Sequence, residues 1–211
     1  MRIAVYSGSF NPLHIGHKAI MEYLTSEKKF DWVYLIVSPK NPLKSNISAD
    51  SGEARFNAAV EALGRHPELN VKVDDIELKM SPPHYTIKTL DALKRREPDN
   101  EFTLIIGADN LSSIHKWRDF PRILAEYGVA VYPRIGFDIV RLRRELMEEC
   151  KSFPSLYVLD EAESGADRLT LEDADSHFYD IEILDAPLVD ISSTEIRDGL
   201  MQGHDMSEYL M

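Results

Sequence analysis

Apolar residues along the chain fall into short unbroken runs, separated by stretches in which they recur at helical spacing. Residues 3–6 form the first run and end at Ser7-Gly8, the pattern of a buried strand entering a turn. Ala19, Ile20, Tyr23 and Leu24 then share a helix face, and Trp32–Val37 is a second strand-like run closed by Ser38-Pro39. Residues 53–63 read as a helix, with Ala54, Ala58, Val60, Ala62 and Leu63 as helix formers or core candidates. Residues 71–78 alternate in part, through Val71, Val73, Ile76 and Leu78, and so read as a strand. Thr86–Arg96 reads as a helix stopped before Pro98, with Ile87, Leu90 and Leu93 on one face. Strand-like runs follow at 102–106 and Val129–Tyr132, with helix between them at 123–127. A further amphipathic helix is predicted over 137–149, and strands over 156–159 and 178–184.

Strands that are apolar throughout are buried on both faces, and here they alternate with helices. That is the pattern of an α/β, Rossmann-like, doubly wound parallel sheet, whose loops after the strands collect ligands at one edge. No internal repeat or linker interrupts residues 1–211, which read as one domain. One stretch departs from the pattern. Between residues 160 and 185 ten acids face the single base Arg168, which reads as a solvated acidic loop or strand face.

Charge narrows the function. Lys and Arg total 24 against 36 Asp and Glu, a net charge of −12, which argues against a sequence-independent nucleic-acid binder. Cys150 is the only cysteine, so an intramolecular disulfide and a cysteine zinc finger are both excluded. No apolar run approaches the ~20 residues needed to cross a bilayer, and residues 1–7 lack the apolar stretch of a signal peptide. The expectation is a cytoplasmic globular protein with no membrane partner; a homo-oligomer is compatible with it.

The chemistry begins after the first strand, at Gly8-Ser9-Phe10-Asn11-Pro12-Leu13-His14-Ile15-Gly16-His17. Gly8 permits close approach of backbone to ligand, and Gly16 leaves room between two histidines. His14 and His17 are three apart, so both imidazoles can face one side at a helix start whose amides favour an anion. Zinc would need further ligands that the local sequence does not supply. The string resembles the GxFxPxHxGH signature of the nucleotidyltransferase superfamily, which also includes class I aminoacyl-tRNA synthetases. The resemblance implies that Gly8, Ser9, Phe10, His14 and His17 hold the nucleotide, the histidines stabilising the transition state.

A second string, Ile191-Ser192-Ser193-Thr194-Glu195-Ile196-Arg197, carries Ser192 and Glu195 in capping-box spacing, so a helix is predicted to start at about residue 192. Arg197 brings a guanidinium fork suited to phosphate near the same end. The string looks like the ISSTxIR motif with which the adenylyltransferases of the superfamily hold ATP; Ile191, Ser192, Ser193, Thr194 and Arg197 are the matching positions. Catalytic roles accordingly fall to His14, His17 and Arg197, with the helical C-terminal part completing the ATP site.

The segments between resemble the nicotinate mononucleotide adenylyltransferase family at 39–44, at 83–90, at 106–111 with Trp117, and at 132–137. Together with both motifs the likeness runs from Gly8 to Arg197. It implies that Gly107 and Asp109 approach the adenosine ribose, and that Asn41, Lys44, Tyr85, Thr86, Trp117, Arg118 and Arg134 serve the acceptor and its phosphates. Trp117 would give the pyridine ring an aromatic face. The backbone amides of Thr86 and Arg118 would meet the nicotinate carboxylate. Leu43 stands where the family commonly has a histidine, and the acidic stretch is longer than the usual connection. Without the resemblance, Lys44 and Arg55 read as surface residues and Trp117 equally well as core.

The activity so implied is adenylyl transfer from ATP to nicotinate mononucleotide, with Mg²⁺ carried mainly on the ATP phosphates and no metal held by the protein itself. Nicotinamide mononucleotide or phosphopantetheine as acceptor, or a catalytically silent nucleotide sensor, are the alternatives. A dehydrogenase is disfavoured because no GxGxxG follows the first strand. Lys79-Met80-Ser81-Pro82 lacks the second lysine of a synthetase KMSKS loop.

Overall fold

The computed structural model describes residues 1–28, 30–39, 51–150, 156–158, 168–173 and 178–211. Expectations for Asn41, Leu43, Lys44 and much of the acidic stretch lie outside these residues.

The strands are β1 (Arg2–Gly8), β2 (Trp32–Val37), β3 (Val71–Asp74), β4 (Glu101–Gly107), β5 (Val129–Tyr132), β6 (Leu156–Val158), β7 (Arg168–Asp173) and β8 (Phe178–Ile183). The helices are α1 (Ile15–Ser26), α2 (Gly52–Gly64), α3 (Ile76–Lys79), α4 (Thr86–Arg96), α5 (Ala108–Leu111), α6 (Phe120–Glu126), α7 (Ile139–Cys150) and α8 (Ser193–Met201), with 3₁₀ turns at Ile114–Lys116 and Ser207–Tyr209. They form one sheet in the order β3-β2-β1-β4-β5-β8-β7-β6. The first six strands are mutually parallel, whereas β6 and β7 pair antiparallel at one end. The expected doubly wound sheet is therefore present, with an antiparallel extension at its edge.

Alternation within each buried strand sorts side chains between two cores. Ile3 and Val5 of β1 join Ile36, Leu104 and Val131 under α4, α6 and α7. Ala4 and Tyr6 face the other way, onto Ile20, Met21 and Leu24 of α1 and Ala59 and Ala62 of α2. Strand order reverses between β1 and β4, so the connections after them part to opposite faces of the sheet and leave a crevice, the usual ligand position in open α/β sheets.

Two local expectations differ from the structure. Only Val71–Asp74 is strand; Ile76–Lys79 turns into a short helix, with Asp74 Oδ1 accepting from the Ile76 N–H at 3.1 Å where the chain changes direction. Val60 is exposed rather than core. Within the acidic stretch, residues 168–173 are strand β7, one of the two forms expected there, with Leu169 and Leu171 in alternation.

Candidate active site

The nucleotide turn leaves β1 at Gly8 and enters α1 through His14. Phe10 holds φ 44°, an uncommon conformation for a bulky residue, and is buried edge-on against both Tyr6 and His17. His14 is the N-cap of α1: its Nδ1 accepts from the Gly16 N–H at 3.1 Å. His17 reciprocates as a capping box, its Nδ1 accepting from the His14 N–H at 3.2 Å. The rings lie 3.7 Å apart, centroid to centroid. A Cβ on Gly16 would stand 3.0 Å from the His14 ring, so glycine here leaves the stack its space.

These bonds fix the tautomer. Each Nδ1 lone pair is engaged by a backbone amide, so each neutral ring carries its proton on Nε2. Burial pushes the His14 pKa down to about 4, with Arg134 adding to the effect. Burial likewise lowers that of His17, helped by His14 and Arg134. Both rings are therefore neutral donors at physiological pH, with no free lone pair for a metal.

His14, Gly16 and His17 share the wall of an open cleft with Tyr6, Tyr132, Arg134 and the start of the late helix, Ile191, Ser192 and Glu195. The two distant motifs are thus brought together. Ser192 caps α8, its Oγ accepting from the Glu195 N–H at 3.2 Å. Ser193 Oγ donates to the Pro12 carbonyl at 3.1 Å, and Arg197 donates to the Asn11 carbonyl at 2.6 Å and to Thr194 Oγ1 at 3.0 Å. Arg197 is thereby tied to the nucleotide turn itself, and neither it nor Phe10 forms part of the cleft wall.

Arg134 is the cation on that wall. Its guanidinium pairs with Asp109 at 3.1 Å, and Asp109 keeps its other oxygen buried without a hydrogen bond among the described residues. A Cβ at Gly107 would collide with Asp109 Oδ1 and stand 3.0 Å from the Tyr132 hydroxyl, so glycine keeps this corner open.

Of the expected acceptor residues, Arg134 shares the cleft wall with the imidazoles, whereas Tyr85 and Trp117 belong to the face of the sheet opposite α1. Tyr85 and Trp117 both pack against the core under α4, and Tyr85 caps α4 so that Thr86 opens it. The indole N–H of Trp117 is buried without a hydrogen bond among the described residues. Arg118 is exposed, 3.6 Å from Asp119.

The surface reading of Arg55 is overturned: it is 5% exposed and donates to the Ser9 carbonyl at 2.7 Å and to the Pro39 carbonyl at 3.0 Å, clamping the exits of β1 and β2. Its place in the first turn of α2 gives no warning of this. Tyr6 and Tyr132, whose hydroxyls are 3.3 Å apart on the cleft wall, were likewise not singled out, because their runs read simply as core strands.

Among the described residues no helix is long and apolar enough to cross a membrane.

A family model described as Cytidylyltransferase-like matches residues 5–199. A Flavobacterium johnsoniae protein named "Probable nicotinate-nucleotide adenylyltransferase" is 32% identical over 210 residues, covering 100% of this chain and 92% of that one. A Flavobacterium psychrophilum protein of the same name is 34% identical over 200 residues, covering 95% and 86%. In fold, the chain is similar to Plasmodium falciparum nicotinic acid mononucleotide adenylyltransferase complexed with NaAD, with a TM-score of 0.67 at 16% identity over 99% of this chain and 90% of that one. With the imidazole pair and the late helix meeting at one cleft, and with likeness along nearly its whole length, the chain belongs to the nicotinate-nucleotide adenylyltransferases of the cytidylyltransferase-like family.

Proposed function

We propose that the chain joins the 5′-phosphate of nicotinate mononucleotide to the α-phosphorus of ATP, forming nicotinic acid adenine dinucleotide and expelling pyrophosphate. The observation that carries this reading is the pair of Nε2–H donors, set by the backbone on one wall of the cleft that α8 also borders. The names of its relatives support the choice of acceptor.

The acceptor is a phosphate monoester whose second pKa is about 6, so it is largely dianionic at neutral pH and needs no general base. One of its oxygens forms the new P–O bond as the bond to the departing pyrophosphate breaks. The protein's task is to position two anions and to stabilise the charge that gathers on the transferring group. Neutral His14 and His17 supply preorganised hydrogen bonds for this, and Arg134 a positive charge. Arg197 and Ser193 hold the turn that carries the histidines. At the other substrate, Trp117 offers an aromatic face, and the backbone N–H of Thr86, as the first residue of α4, has no helical acceptor and is left to a carboxylate.

Among the described residues no three His, Cys, Asp or Glu side chains converge as metal ligands. A magnesium ion that arrives on the triphosphate would keep phosphate oxygens and water around it and ask few ligands of the protein. When bound there, it neutralises phosphate charge. The same reading makes this a cytoplasmic enzyme that acts without nucleic acid or membrane, alone or as a homo-oligomer.

The test is pyrophosphate release from ATP and magnesium with nicotinate mononucleotide, nicotinamide mononucleotide and phosphopantetheine in parallel. The highest kcat/KM is expected for the acid mononucleotide. A higher value for the amide or for phosphopantetheine would reassign the acceptor. Release with none of them would overturn adenylyl transfer.

A further inference from the structure

Behind the acceptor turn lies a buried carboxyl that the chemistry above does not use. Glu77, on α3, is 3% exposed. Its Oε1 accepts from the Thr89 hydroxyl of α4 at 2.7 Å, a contact closed off from solvent. The Ser38 side chain lies beside the same carboxyl, and Oε2 is buried without a hydrogen bond of its own among the described residues. Burial pushes the pKa of this carboxyl up.

The network continues to the nucleotide side. Ser38 Oγ is 3.0 Å from Ser7 Oγ, and the Ser38 N–H donates to the Gly8 carbonyl at 2.9 Å. In the other direction, Thr89 belongs to the first turns of α4, where the Lys88 and Thr89 amides donate to the Tyr85 carbonyl at 2.9 and 3.3 Å. A continuous set of polar contacts thus runs from the end of β1, through the end of β2 and Glu77, to the helix start at Tyr85-Thr86.

We infer that Glu77 is a positioning residue for the acceptor, bracing the first turn of α4 against the strand ends that carry the nucleotide turn. The inference rests on the proposed reading of Tyr85-Thr86 as the acceptor's anchor. It goes beyond that reading in naming what fixes the anchor relative to ATP. A buried carboxyl is costly to retain in a packed interior, and a leucine of similar volume would fill the space without that cost. What the carboxyl adds is direction: a hydrogen bond fixes the rotation and depth of α4 where apolar packing tolerates small slides.

Three variants test this. Thr89→Val is nearly isosteric and removes the hydroxyl, Glu77→Leu removes the carboxyl, and Glu77→Gln keeps a carbonyl oxygen for Thr89. In the first two, the acceptor KM is expected to rise ~10-fold or more while the KM for ATP stays within about twofold; Glu77→Gln should restore acceptor KM toward the parent value. In the substrate-free protein, the Lys88 and Thr89 amides should exchange hydrogen faster in Thr89→Val than in the parent. Unchanged acceptor KM and unchanged exchange in Thr89→Val would overturn the inference, as would an equal rise in both KM values. Should the parent protein prefer a different acceptor, the proposed function fails separately, and the exchange measurement still reads the bracing.

Discussion

A histidine whose Nδ1 is held by a backbone amide has one thing left to offer a ligand, the proton on Nε2. His14 and His17 are both in that state. His17→Ala should therefore lower kcat by ~10²-fold or more, on the scale of losing one preorganised donor in a transition state. A kcat within twofold of the parent would remove His17 from the chemistry. Burial of neutral imidazoles also ties stability to pH. The folded pKa of His14, about 4, lies below the ordinary value of 6.5, so between the two the unfolded chain binds more protons and stability rises with pH. Acidifying from pH 7 to pH 5 should accordingly lower Tm, and His14→Gln, which does not titrate there, should flatten the slope. The histidine pair was legible in the sequence because its spacing sits on a recognisable string. Arg55 was not, because burial of a cation by two carbonyls 46 and 16 residues away leaves no local trace.

At the scale of elements, apolar runs located β1, β2, β4 and β5 because strands buried on both faces carry no polar positions to confuse the reading. Thr86–Arg96 was legible to the residue, since Pro98 and the apolar face bound it. The stretch 71–78 misled because its apolar residues satisfy alternation and a helical turn alike, and the chain turns where Asp74 Oδ1 accepts from the Ile76 N–H. That carboxylate is 3% exposed, is gripped by two nitrogens of Arg96 at 3.0 and 2.7 Å, and joins β3 to the end of α4. Arg96 and Lys72 hold its pKa below the ordinary range, against the opposing effect of burial. Asp74→Ala should cost about 2–3 kcal/mol in urea unfolding, less than the 3–5 of a fully enclosed pair because Arg96 remains partly in water. A loss below about half a kcal/mol would show that the pair contributes nothing to joining these elements.

The whole molecule carries a charge of −12 and, on the proposed reading, binds two polyanions. Its long-range field opposes both substrates, while the attraction comes from a few local groups such as Arg134. Raising ionic strength from ~10 to ~100 mM shortens the range of that repulsion, so KM for ATP should fall over this interval. A rise instead would mean that local ion pairs, and not the global field, govern encounter. The cleft itself draws on residues far apart in sequence: Arg197 reaches Asn11 across 186 positions, and Ser193 reaches Pro12 across 181. During synthesis, then, the imidazoles emerge long before α8 and the sheet can begin to form around β1, but the turn that bears them gains its partner only when α8 leaves the ribosome. Chains arrested before that point hold most of the hydrophobic interior and lack the cleft's second wall, so competence waits on a helix that adds little to the core.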